Sequence, residues 1–152
     1  MQKSFKKHLI NLKFSNRMLE DNIYIRVRYA DTDQMGFVYY GNYASYYEIA
    51  RVELFRNIDF TYRSLEEIGI GMPVLNMSTN FLGPAKYDEE LRIHVKLPEM
   101  SNLKIKFSYE IFNENQELIN TGATTLTFID LKTGKPKRIP LIMKNKLVKY
   151  FE

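Results

Sequence analysis

The chain has 152 residues, 45% of them apolar and 14% aromatic, which suits one domain with a buried core and excludes a disordered polymer. It has no cysteine, which excludes disulfides, a cysteine nucleophile and thiolate metal sites, and fits a cytoplasmic protein. The net charge is +4, but residues 1–16 hold Lys3, Lys6, Lys7 and Lys13 with no acid; the remainder has 18 basic against 18 acidic residues, so a phosphate-tracking nucleic-acid face is not expected.

In chain order, residues 1–17 are expected to form a basic, poorly structured extension and 18–152 the folded domain. Asn11 and Lys13 interrupt the only candidate for a signal-peptide core. No stretch approaches the ~20 apolar residues that span a bilayer, so no stable membrane insertion is expected. Ile23, Ile25, Val27 and Tyr29 then alternate with Tyr24, Arg26 and Arg28, the period of a half-buried strand. A polar turn containing Gly36 follows over 31–36, and a short apolar piece over 37–40.

Asn42 is placed to cap a helix running to about residue 57, with Tyr43, Tyr46, Tyr47, Ala50 and Leu54 on one stripe. Ile49, Val52 and Phe55 fall outside that stripe, so the helix is expected to be buried on several sides by a sheet curved around it. A short helix over 61–68 precedes strands at 73–82, 88–98, 103–113 and 117–130. Residues 113–116 read as a hairpin turn, and 132–135, with Gly134, as a loop. Strands that succeed one another at hairpin distances imply an antiparallel sheet, hence α+β.

Few constellations carry chemistry. His8 lies in the extension and His94 on the polar side of a strand, so a histidine metal site and a Ser-His-Asp triad are not expected. Asp130 opens D-L-K-T-G-K, in which lysines occupy calcium-ligand positions, and reads as a strand-ending turn. No P-loop or dinucleotide fingerprint occurs; no metal and no cofactor are expected. Asp31 and Asp33 share a turn between a strand and the long helix, and taken alone such Asp-Thr-Asp turns cap their own backbone.

The order Tyr29, Asp31-Thr32-Asp33, Gly36, Phe37-Val38-Tyr39, Tyr40, Gly41, Asn42 and Tyr43 resembles the 4-hydroxybenzoyl-CoA thioesterase family of hotdog proteins. That family includes the acyl-CoA thioesterases associated with the Tol-Pal system. The likeness continues through Tyr47-Glu48 and Ala50-Arg51, through Phe81, Pro84-Ala85 and Asp88-Glu89, and through Thr127 to Pro140. The resemblance implies a hotdog fold, a curved antiparallel sheet of about five strands wrapped around a long central helix. It implies Asp33 as nucleophile or general base, with the N–H of Tyr40 polarising the thioester carbonyl. Gly41 would allow close approach, and Tyr29, Asn42 and Tyr43 would contact substrate.

The Tol-Pal branch carries His at the position of Tyr40, whereas the hydroxybenzoyl branch carries Tyr, so no histidine-assisted mechanism is expected. Glu48 reads as an i,i+3 ion-pair partner of Arg51, with a second carboxylate of the site as the alternative. The resemblance also implies an acyl-CoA substrate and a homodimer or homotetramer with the site at a subunit interface. A non-catalytic acyl-binding module and an acyl carrier protein thioesterase remain as alternatives.

Overall fold

The computed structural model describes residues 18–151, so the expected extension over 1–17 lies outside the described residues. Five long strands carry the fold: β1 (Leu19–Arg26), β3 (Val74–Phe81), β4 (Glu90–Met100), β5 (Lys104–Phe112) and β6 (Leu118–Asp130). Each is antiparallel to its neighbours in the spatial order β1-β4-β5-β6-β3. Two short strands, β2 (Ile70–Gly71) and β7 (Pro136–Lys137), pair with the last residues of β6. This is the expected α+β hotdog arrangement, with α1 (Tyr43–Arg56) lying on the inner face of the sheet.

Alternation sets the faces. Leu91, Ile93, Val95 and Leu97 of β4, and Ile105, Phe107, Tyr109 and Ile111 of β5, point inward and are buried. Register aligns Ile23 with Ile93, and Ile93 with Ile111, across three strands. His94 points to the opposite face, between Glu20 at 3.0 Å and Glu110 at 3.3 Å. Among the described residues no histidine, cysteine and carboxylate group is arranged to hold a metal, and no helix is long and apolar enough to cross a membrane.

Three local expectations are corrected. The first strand runs over Leu19–Arg26 rather than through Tyr29, because the Arg28 N–H turns to the Asp31 carboxylate and the chain coils into a 3-10 turn over Tyr29–Asp31. Helix α1 is buried along one side only: Ile49 is exposed with Ala44, Ser45 and Glu48, while Tyr43, Tyr46, Tyr47, Ala50, Leu54 and Phe55 face the sheet. A helix after residue 140, α3 (Leu141–Leu147), was not expected from the sequence; it seats Met143 and Leu147 in the core. The short helix α2 (Tyr62–Glu67) falls where expected, with the Thr61 hydroxyl accepting from Ser64 N at 3.2 Å.

Polar groups between α1 and the sheet are all partnered. The Tyr47 hydroxyl bonds Asn120 and reaches Thr79 at 2.8 Å, and the Tyr109 hydroxyl reaches Thr124 at 2.6 Å. The Tyr47 and Tyr109 rings stack at 4.3 Å. Gly122 makes room for this, since a Cβ there would lie 2.2 Å from the Tyr47 hydroxyl oxygen. Arg51 is buried; its Nε donates to the Tyr62 hydroxyl at 3.1 Å, and it pairs with Glu48 at 3.8 Å as the i,i+3 spacing implied.

Candidate active site

Residues 31–39 form a small hairpin that ends where α1 begins. Tyr39 N donates to Asp31 O at 2.8 Å, and Asp33 N to Phe37 O at 2.9 Å, with Thr32 and Val38 bridged between them. Gly36, at φ +78°, closes the turn by donating to Asp33 O at 3.0 Å. Val38 N donates to Ala85 O at 2.8 Å, which fastens this hairpin to the segment entering β4.

The two carboxylates of the turn are used differently. Asp31 Oδ2 accepts from Arg28 N at 3.0 Å and from the Tyr46 hydroxyl at 2.9 Å. Asp33 Oδ1 accepts from Met35 N at 2.9 Å and Phe37 N at 3.3 Å. Asp33 Oδ2 accepts no hydrogen bond among the described residues. Asp33 is half-buried, so one oxygen is oriented by the backbone and the other remains open for chemistry.

A 3-10 turn over Tyr40–Asn42 leads into α1. Its hydrogen bonds begin at Asn42 N, which donates to Tyr39 O at 2.9 Å, so the N–H groups of Tyr40 and Gly41 have no acceptor within the turn. Free amides at the positive end of a helix attract developing negative charge. Asn42 occupies the N-cap position of α1 as expected, but its side chain makes no capping bond; its Nδ2 donates instead to Asp31 O at 2.8 Å.

The tyrosines divide into surface and core. Tyr40 is 67% exposed and Tyr29 75% exposed. Tyr29 stacks on Tyr87 at 3.8 Å, and Tyr39 and Tyr40 lie tilted at 4.6 Å. Tyr43 is only 2% exposed; it packs edge-on to Phe81 at 5.3 Å and to Tyr46 at 5.7 Å, beneath the start of the helix. Burial pushes the Tyr43 hydroxyl up to about 12. Burial, and then the Asp31 carboxylate, push Tyr46 upward in the same direction, so both stay neutral at physiological pH.

Sequence reasoning gave Tyr46 no role in the site, and Tyr87 none at all. Tyr46 was legible in principle: a hydroxyl in a buried helical stripe needs an acceptor, and the nearest carboxylates in sequence are those of the Asp-Thr-Asp turn. Nothing in the sequence pattern marks Tyr87, whose contact with Tyr29 depends on how residues 85–88 meet the hairpin.

Residues 27–147 match the Thioesterase-like superfamily. The chain is 30% identical over 116 residues to the acyl-CoA thioester hydrolase YbgC of Escherichia coli O6:H1, covering 76% of this chain and 87% of that protein. It superposes on a DHNA-CoA thioesterase structure from Staphylococcus aureus with a TM-score of 0.82 and 35% identity, covering 86% of this chain and 88% of that one. A 1,4-dihydroxy-2-naphthoyl-CoA thioesterase structure from Synechocystis, at 21% identity and a TM-score of 0.79, shares the fold over 85% of this chain and 96% of that one. The hairpin, the helix start and the curved sheet thus sit in a chain that belongs to the Thioesterase-like superfamily.

Proposed function

We propose that this protein hydrolyses an acyl-CoA thioester to the free acid and CoA. The observation that carries the reading is the Asp33 carboxylate, tethered through Oδ1, on the same hairpin that delivers the N–H groups of Tyr40 and Gly41; neither Asp33 Oδ2 nor these two amides finds a partner among the described residues. A thioester needs little acid assistance, because its leaving thiol has a pKa near ~8.5. What it needs is a nucleophile and a site for the oxyanion.

In this reading the substrate carbonyl oxygen accepts from Tyr40 N–H. Asp33 Oδ2 either takes a proton from the attacking water, the tetrahedral adduct then collapsing to the acid and the CoA thiolate, or attacks the carbonyl carbon itself, expelling the CoA thiolate and leaving a mixed anhydride that water hydrolyses to the acid and free Asp33. A single turnover in heavy-oxygen water that places solvent oxygen in Asp33 establishes the nucleophilic route, with water attacking the Asp33 carbonyl of the anhydride. The relatives named for acyl-CoA hydrolysis support CoA as carrier. Release of free thiol from short, long and hydroxybenzoyl CoA esters tests the activity; absence of turnover on all of them would favour an acyl-binding module or an acyl carrier protein substrate.

We also propose that the working unit is a homodimer. Strand β3 is a sheet edge of eight residues, exposed along almost its whole length, with Val74, Leu75, Met77 and Phe81 unburied. An apolar edge of this kind is a template for pairing with a second copy. Tyr29, Tyr39 and Tyr40 are exposed in one chain, and a neighbouring subunit over them would complete a pocket. Sedimentation analysis that found only monomer would contradict this.

A further inference from the structure

The charge of this protein is segregated along the chain. Residues 18–130 carry ten basic and seventeen acidic side chains, whereas residues 131–152 carry seven basic and one acidic, Glu152. That last segment forms the loop after β6, strand β7 and helix α3. Lys132, Lys135, Lys137, Arg138, Lys144 and Lys149 are exposed there. Among the described residues only Lys137 of these forms an ion pair, with Asp130 at 3.4 Å. The near balance of charge outside residues 1–16 therefore conceals a strongly basic end opposed by an acidic body.

The same end exposes aliphatic side chains. Helix α3 buries Met143 and Leu147 and exposes Leu141 and Ile142 beside Lys144, and the 3-10 turn that follows it, Val148–Tyr150, exposes Val148 and Lys149. Leu141 is 72% exposed, more than any other aliphatic residue named here. Leu131, at the start of the basic loop, is exposed as well. Leucine, isoleucine and valine set among lysines form the mixed surface that lies at the boundary between headgroups and acyl chains.

We propose that residues 131–149 form a docking surface for an anionic phospholipid bilayer, at which the protein adsorbs without crossing. The cations are spread over a loop, a strand end and a helix rather than lining a groove, which suits a laterally extended negative surface. Two copies would oppose seven cations with seven, so like-with-like pairing of this face is disfavoured. The acidic body, repelled by the same lipids, orients the molecule with α3 toward the bilayer.

The test is cosedimentation of the full chain with vesicles of phosphatidylcholine, with and without about one-third phosphatidylglycerol. The expected result is binding to the anionic vesicles only, weakened by salt. Each lysine near such a surface contributes roughly fivefold, so Lys144→Gln, Lys146→Gln and Lys149→Gln together are expected to weaken binding on the order of 100-fold. Lys132→Gln with Lys135→Gln provides a second variant, placed in a loop where folding is not at stake. Leu141→Ser with Ile142→Ser is expected to remove the binding that survives high salt. Circular dichroism establishes that each variant is folded. Equal binding to neutral vesicles, or no vesicle binding alongside capture by polyglutamate, would overturn the proposal. So would undiminished binding by both lysine variants, which would assign the attraction to residues 1–17.

Discussion

The Tyr46 hydroxyl donates to Asp31 Oδ2 at 2.9 Å, and this bond ties the second turn of the central helix to the loop that carries Asp33. Asp31 is a hub: its carboxylate also holds Arg28 N, and its carbonyl accepts from Tyr39 N and from the Asn42 side chain, each at 2.8 Å. One carboxylate of the Asp-Thr-Asp turn is thereby committed to fixing the strand end, the hairpin and the helix start relative to one another. The other retains an open oxygen.

Tyr46→Phe is expected to test that hub. It removes a hydrogen bond to a charged group and costs about 1.5–3 kcal/mol of stability, read from a shifted denaturant midpoint. Because Asp33 loses part of its support, kcat falls more than KM rises. Unchanged kcat would mean that the tie is not needed to position Asp33.

Alkaline pH is expected to destabilise the fold. Burial raises Tyr43 to about 12 and pushes Tyr46, Tyr47, Tyr62 and Tyr109 upward as well. A folded-state value above the unfolded value of ~10 means that the unfolded chain releases protons first. The contribution of these residues is complete below pH ~10 and is lost as pH rises through the folded-state values. Denaturation midpoints measured from pH 8 upward should hold level and then fall above about 10, with a shallower fall in Tyr43→Phe.

Gly122→Ala is expected to destabilise by about 1–3 kcal/mol, since the added methyl meets the Tyr47 ring inside a fully packed interface. Thermal unfolding measures it. A neutral result would show that Tyr47 can shift without disturbing its bonds to Thr79 and Asn120.

Tyr40→Phe is expected to retain acyl-CoA hydrolysis within about a factor of three, because the role assigned to this position belongs to the backbone N–H, which the substitution keeps. A collapse in rate would give the hydroxyl itself a chemical role.

Much of the fold was legible because β4 and β5 alternate cleanly, and β3 to β6 start and end within a few residues of the expected ranges. The first strand was misplaced at its end, since Tyr29 continues the alternation while the Arg28 N–H is diverted by a side chain three residues on. Helix α1 read as apolar all round, yet period alone cannot tell a core face from one that a second molecule would cover. In the site, Asp33 was singled out by resemblance, not by spacing. Its distinction from Asp31 is physical and depends on Tyr46 and Arg28, which only the folded chain brings to Asp31. Helix α3 was missed because its seven residues hold just two buried positions, Met143 and Leu147, amid lysines.

The most direct measurement compares acyl-CoA hydrolysis by the wild type and by Asp33→Asn, which keeps the Oδ1 acceptor and the shape of the turn. Substitution of a nucleophile or base is expected to lower kcat on the order of 100-fold or more while leaving the unfolding midpoint nearly unchanged. Hydrolysis at the wild-type rate by a folded Asp33→Asn protein would contradict the assignment of Asp33 as the catalytic carboxylate.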